Sequence, residues 1–131
     1  MFCQIINKKQ AAQIVYEDDA VVAVLDISPR SIGHTMAIPK RHMKTILELK
    51  PEEIGPVFGA AKKITQLLKD KLNPDGFTIG INHGKVSGQA INHLHIHIIP
   101  RFFGDNGGSI HTVVDNSPKE SLEEVAKKLA L

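Results

Sequence analysis

The run His93-Leu94-His95-Ile96-His97-Ile98-Ile99 sets three imidazoles two residues apart among apolar side chains. Successive side chains of a strand point to opposite faces. His93, His95 and His97 therefore share one face, and Leu94, Ile96 and Ile98 the other. Three polar rings on an apolar strand do nothing for folding, because each buried nitrogen needs a partner. Two chemistries use such a row. Imidazoles at alternate strand positions can converge on a metal ion such as zinc. Alternatively, one neutral imidazole attacks phosphorus while its neighbours stabilise the anionic group. The second nitrogen of the attacking ring must then keep its hydrogen on a fixed acceptor. A flanking ring can hydrogen-bond a phosphate oxygen or protonate the leaving group.

The surroundings of the row favour phosphorus. Gly84-Lys85-Val86-Ser87-Gly88-Gln89 is a loop of small residues leading into it, and such loops let backbone N–H groups approach a phosphate. No Asp or Glu lies between Asp75 and Asp105, whereas zinc-bound histidines commonly lean on carboxylates.

Several elements must position these residues. Residues 7–13 suggest a short helical turn capped by Asn7. Ile14 to Glu17 reads as a strand closed by an Asp18-Asp19 turn. The β-branched run Ala20 to Leu25 predicts a buried strand ending at Asp26-Ile27-Ser28-Pro29. His34 to Ile38 predicts another. Pro51, Glu52 and Glu53 open a long helix whose apolar face is Ile54, Val57, Phe58, Ala61, Ile64, Leu68 and Leu72. Gly55, Pro56 and Gly59 predict an irregular start to it. Phe77 to Asn82 and Ile91 to Pro100 read as strands, and Arg101 to Asn116 as a loop. A last helix is expected from about Pro118, with Ser117 as cap and Glu120 completing a capping box. One long helix among four or five strands is an α+β arrangement with a largely antiparallel sheet.

Composition narrows the partners. The 131 residues make a single domain, residues 1–131, with 42% hydrophobic and 23% charged residues. Sixteen Lys+Arg against fourteen Asp+Glu leave a formal charge of +2, which disfavours nucleic acid as a partner. No apolar run approaches the ~20 residues of a membrane span. No secretion signal is evident, and the one cysteine, Cys3, suits a reducing cytoplasm.

Gly88 to Arg101, GQAINHLHIHIIPR, resembles the signature of the histidine triad (HIT) superfamily: His-φ-His-φ-His-φ-φ, with φ apolar, preceded by Gly-Gln. The segments Asp26-Ile27-Ser28-Pro29, Gly33-His34 and Ile38-Pro39-Lys40-Arg41-His42 are similar to that family's upstream block, as are Phe2, Cys3, Ile5 and Glu17-Asp18-Asp19 to its N-terminal pattern. The resemblance implies a HIT-like α+β fold: a mainly antiparallel five-stranded sheet, one long helix and a C-terminal helix. Two subunits would join their sheets into one of ten strands.

It implies, further, attack by His95 on the α-phosphate of a purine nucleotide derivative, then hydrolysis of the nucleotidyl-histidine. In this pattern His97 contacts the phosphate and His93 helps orient the nucleophile. Gln89, Gly88 and Asn82 line the phosphate site, and Asp26 takes the ribose, with His34 near it. Phe2, Ile5, Leu25 and Ile27 wall the base. Read alone, Asp26 more readily opens an Asx turn, His34 and His42 are surface or strand-end residues, Gln89 is a loop residue, and Phe2 and Ile5 are core. Two departures stand out. Family members with a zinc site pair two N-terminal cysteines with histidines such as His42 and His93. Cys3 has no such partner, so a complete zinc site is not expected; no cofactor is expected, with zinc as the one open possibility. Ala90 stands where the phosphoramidase branch has serine, and Ile99-Pro100-Arg101 is more similar to branches acting on dinucleoside polyphosphates.

The resulting expectation is a cytoplasmic, homodimeric nucleotidyl hydrolase or transferase acting on adenylylated amines or dinucleoside polyphosphates. The alternatives are a purine-nucleotide-binding interaction protein with little catalysis, and a three-histidine zinc enzyme. His83 and His111 are expected to be solvent-exposed.

Overall fold

The computed structural model describes residues 2–6 and 12–131. The turn expected at residues 7–13 falls mostly outside the described residues. A short helix, α1 (Phe2–Ile6), precedes strands β1 (Ile14–Glu17), β2 (Val21–Leu25) and β3 (Thr35–Pro39). The long helix α2 (Pro51–Leu72) leads to β4 (Gly76–Gly80), β5 (Ile96–Arg101) and a terminal α3 (Leu122–Leu129). The strands form one open antiparallel sheet in the order β1-β2-β3-β5-β4.

Strand alternation sorts the sheet into two faces. Val21, Ala23, Ala37, Ile96 and Ile98 pack under Val57, Ala60, Ala61, Ile64 and Leu68 of α2. Val22, Val24, Met36 and Ile38 face the other way and are covered by Phe2 and Ile5 of α1. His97 pairs with Met36, and paired residues of neighbouring strands share a face. The His97 ring therefore lies on the α1 side.

Four sequence expectations are corrected. The histidine strand begins at Ile96, not at Ile91. Leu94 N–H donates to Met43 O at 2.7 Å, so the chain leaves the ladder before His95. Helix α2 is unbroken despite Pro56. Glu53 accepts from Lys50 N–H at 2.9 Å and is clamped by Arg41 at 2.7 Å, which secures the first turn. Ile54 and Phe58 lie off the buried stripe of α2 and are exposed. Finally, α3 is capped by Ser121, which accepts from Glu124 N–H at 3.1 Å. Ser117-Pro118-Lys119-Glu120 and Ser121-Leu122-Glu123-Glu124 carry the same pattern. The second is followed by apolar Val125 and Leu129 at helical spacing.

Candidate functional site

Five imidazoles form a broken row across the α1 face, running from His42 through His93, His95 and His97 to His34. Ring centroids are 4.9 Å apart for His42 and His93, 4.8 Å for His95 and His97, and 5.1 Å for His34 and His97. Phe2 forms T-shaped ring pairs with His93 and His95, centroids 5.8 Å and 5.0 Å apart. His93, His95 and His34 are buried, and His97 is half-buried. No fully buried side-chain nitrogen or oxygen among the described residues lacks a partner.

Fixed backbone partners assign the tautomers. His95 Nδ1–H donates to the His93 carbonyl at 2.9 Å. A neutral His95 therefore carries its lone pair on Nε2, the nitrogen left to react. His93 Nε2–H donates to the Pro39 carbonyl at 2.8 Å, which puts its lone pair on Nδ1. Arg30 N–H donates to His34 Nδ1 at 3.1 Å, so His34 carries its hydrogen on Nε2, 2.9 Å from His97 Nδ1. His97 then presents Nε2–H. Burial pushes His97 down to about 4, helped by His95 and His34 and opposed by Asp26. Burial also lowers His93 and His34. One face thus offers a nucleophilic lone pair on neutral His95 and an N–H donor on His97, a ring whose burial disfavours protonation.

Asp26 makes the Asx turn and also faces two imidazoles. Its Oδ1 accepts from Ser28 N–H at 2.8 Å, an Asx turn, while Oδ2 lies 3.5 Å from His34 Nε2 and 3.9 Å from His97 Nδ1. Leu25 and Ile27 flank Asp26; Ile27, at 89% exposed, has a whole side chain free to cover a ligand. Phe2 and Ile5 are buried in the sheet core and reach the row only through the ring contacts of Phe2. Gly88 adopts φ +97°, and a Cβ there would lie 3.8 Å from Asn82 Nδ2, so these two residues adjoin. Gln89 is spent on backbone: its Oε1 accepts from Gly84 N–H at 2.9 Å, and its Nε2 donates to Lys44 O at 2.8 Å and Ile91 O at 3.2 Å. His83 and His111 are exposed. The partners missing from the sequence reading are the carbonyls of Pro39, His93, Lys44 and Ile91 and the N–H groups of Arg30 and Gly84. No residue-type signal marks them, since backbone groups are the same at every position.

Cys3, His42 and His93 converge at the other end of the row. Cys3 Sγ lies 3.7 Å from each Nδ1, and the two Nδ1 atoms are 3.3 Å apart. Bonds of ~2.3 Å to sulfur and ~2.0–2.1 Å to nitrogen about a tetrahedral zinc separate S and N by about 3.6 Å and two N by about 3.3 Å. The three donors fit zinc.

Residues 7–104 match the HIT domain family. The chain belongs to the HIT family. An uncharacterized HIT-like protein of Methanocaldococcus jannaschii is 47% identical over 129 residues, 98% of this chain and 97% of that protein. A HIT family member from Bacillus subtilis of known structure superposes with a TM-score of 0.86 at 34% identity, covering 98% of this chain and 93% of that one. Within the family, the adenylylsulfatase HINT3 of Arabidopsis thaliana is 37% identical over 101 residues, 77% of this chain and 51% of that protein. A zinc-bound histidine triad family protein of Mycobacterium smegmatis matches with a TM-score of 0.75 at 35% identity, covering 80% and 76% of the two chains. The HIT fold accounts for the open five-stranded antiparallel sheet and its helices. No described helix is long and apolar enough to cross a membrane.

Proposed function

We propose that the protein cleaves purine nucleotide derivatives at the α-phosphate through a nucleotidyl-His95 intermediate. The observation that carries this reading is the His95 Nδ1–H bond to the His93 carbonyl, which leaves the Nε2 lone pair free to attack. In the first step Nε2 bonds to phosphorus and the bond to the leaving group breaks, its electron pair departing with that group. The His97 Nε2–H faces the phosphate or supplies the leaving group's proton. Water then attacks the same phosphorus, releasing the nucleoside monophosphate and regenerating neutral His95. Asp26 takes the ribose, with His34 beside it. Phe2, Ile5, Leu25 and Ile27 bound the base, Asn82 and Gly88 bound the phosphate, and Gln89 shapes the loop that carries them.

The leaving group is an amine or a polyphosphate; the adenylylsulfatase relative adds sulfate as a third class. Steady-state assay of an adenosine phosphoramidate, a diadenosine polyphosphate and adenylyl sulfate separates them. His95→Gly should lower turnover of the preferred substrate by about 10⁴-fold or more, with AMP still bound. Wild-type turnover in that variant overturns the mechanism. AMP binding without turnover of any substrate by the wild type favours a nucleotide-binding protein instead.

The Cys3–His42–His93 geometry supports a second, compatible reading: a bound zinc ion. Cys3 Sγ, His42 Nδ1 and His93 Nδ1 would hold it, and the His93 tautomer already turns a lone pair that way. Zinc there supplies a crosslink between α1 and the histidine loop. Metal analysis of purified protein should find about one zinc per chain, lost in Cys3→Ser together with a lowered melting temperature. Absence of zinc from freshly purified, unchelated protein sinks this reading.

The quaternary state proposed is a homodimer. β4 is an edge strand, and Phe58 and Ile79, 42% and 47% exposed, line one shallow apolar depression beside it. Pairing of two β4 edges would satisfy their free backbone groups and cover these side chains. The compartment proposed is a reducing cytoplasm, with which a lone thiol is compatible.

A further inference from the structure

We propose that His34 is a positioning residue: it sets the tautomer of His97, and with it the hydrogen offered to the phosphate. This rests on His97 being the phosphate-facing ring of the proposed reaction. His34 is not free to bind a nucleotide through nitrogen, because both its nitrogens are engaged within the protein. Its Nδ1 accepts the Arg30 backbone N–H at 3.1 Å, and a backbone donor cannot switch to acceptor. The hydrogen of neutral His34 is therefore on Nε2. At 2.9 Å from His97 Nδ1 that hydrogen is donated, and His97 must keep its own on Nε2. The separation is a hydrogen bond and not a metal bridge, since two nitrogens on one tetrahedral metal stand about 3.3 Å apart.

The need for such a device lies in Asp26. Its Oδ2 is 3.9 Å from His97 Nδ1 and 3.5 Å from His34 Nε2. A carboxylate that close attracts a hydrogen on His97 Nδ1. That tautomer would turn a lone pair toward the phosphate oxygens, lone pair against anion. His34 stands between the two and keeps the Nδ1 position occupied as an acceptor. The loop that carries it is closed on itself. Asp26 N–H donates to His34 O at 2.9 Å, His34 N–H to Ser31 O at 3.1 Å, and Ser28 N–H to Asp26 Oδ1 at 2.8 Å. The Arg30 donor is thereby held in place, and the ribose carboxylate and the phosphate-facing imidazole are tied through one buried ring.

The test reads the tautomer in the ligand-free protein, so that it stands whether or not the proposed reaction does. Long-range ¹⁵N–¹H correlation of the imidazoles should show His97 as the Nε2–H form in wild type. His34→Leu removes the donor and should populate the Nδ1–H form. His34→Gln restores an amide N–H at that position and should retain Nε2–H. On the substrate selected above, His34→Leu should lower kcat/KM about tenfold or more, short of the ~100- to 1,000-fold that follows outright removal of such a donor. His34→Gln should recover most of that loss. A wild-type His97 in the Nδ1–H form overturns the proposal without any variant. So does a His34→Leu protein that stays Nε2–H, or a His34→Gln protein no more active than His34→Leu. Loss of all turnover in wild type, with the tautomers as stated, would instead sink the reaction and leave the positioning role intact.

Discussion

Burial and two neighbouring imidazoles hold His97 at about 4, against 6.5 in an open chain. Between those values the unfolded chain takes up a proton that the folded protein refuses. Folding stability is therefore level above pH 6.5, declines as the pH falls toward 4, and levels again below it. The loss from this ring alone is about 3 kcal/mol. Lowering of His34 acts in the same direction. Melting temperature measured from pH 7.5 to 4 should fall, and His97→Gln should flatten the fall. An unchanged pH profile in that variant would contradict the assignment. At this scale the cluster of imidazoles proposed to react was legible: no structural residue pattern needs imidazoles at 93, 95 and 97. Their protonation was not legible, because it depends on carbonyls of Pro39 and His93 and on the Arg30 N–H. The Asx turn of Asp26 was legible, whereas its approach to His34 and His97 was not, since His97 lies far along the chain.

Elements were read well where periodicity is strong and less well where two readings share one pattern. The β-branched run ending at Leu25 became β2, and the apolar stripe on 57, 61, 64 and 68 became the buried face of α2. The histidine strand was overextended, because alternation cannot show where backbone pairing stops. That break places His93 O within reach of His95 Nδ1. Gly33 performs a comparable service at the start of β3. Its φ of +83° is left-handed, and a Cβ would overlap Leu72 Cδ1 and approach Pro100 Cγ to 3.3 Å. Gly33→Ala should therefore cost about 1–3 kcal/mol from strain, with overlap adding to it. The urea midpoint should drop at unchanged slope. Since Gly33 delivers His34, the same variant should disturb the His97 tautomer. A wild-type midpoint would show that the turn relaxes freely.

For the whole molecule, the two faces of the sheet divide the labour. The α2 face is closed by aliphatic packing, and the α1 face carries the imidazoles under a helix of five residues. The free β4 edge and the exposed Phe58 and Ile79 are the observations that bear on assembly. Ile79→Glu combined with Phe58→Glu should convert a dimer to a monomer in sedimentation while leaving the β-sheet circular dichroism intact. A wild-type protein already monomeric at high concentration would remove the dimer reading.

The sequence by itself determined the fold class and most of the sheet strands, and it named the residues proposed to bear the chemistry. Those follow from local periodicity and from the cost of placing polar rings among apolar ones. Only the tertiary structure decided which nitrogen of each ring is free, that Gln89 braces a loop through backbone groups, and that one cysteine suffices to make a zinc-sized triangle with His42 and His93. The physical reason is common to all three. They turn on distances between groups far apart in the chain, many of them backbone atoms that every residue shares.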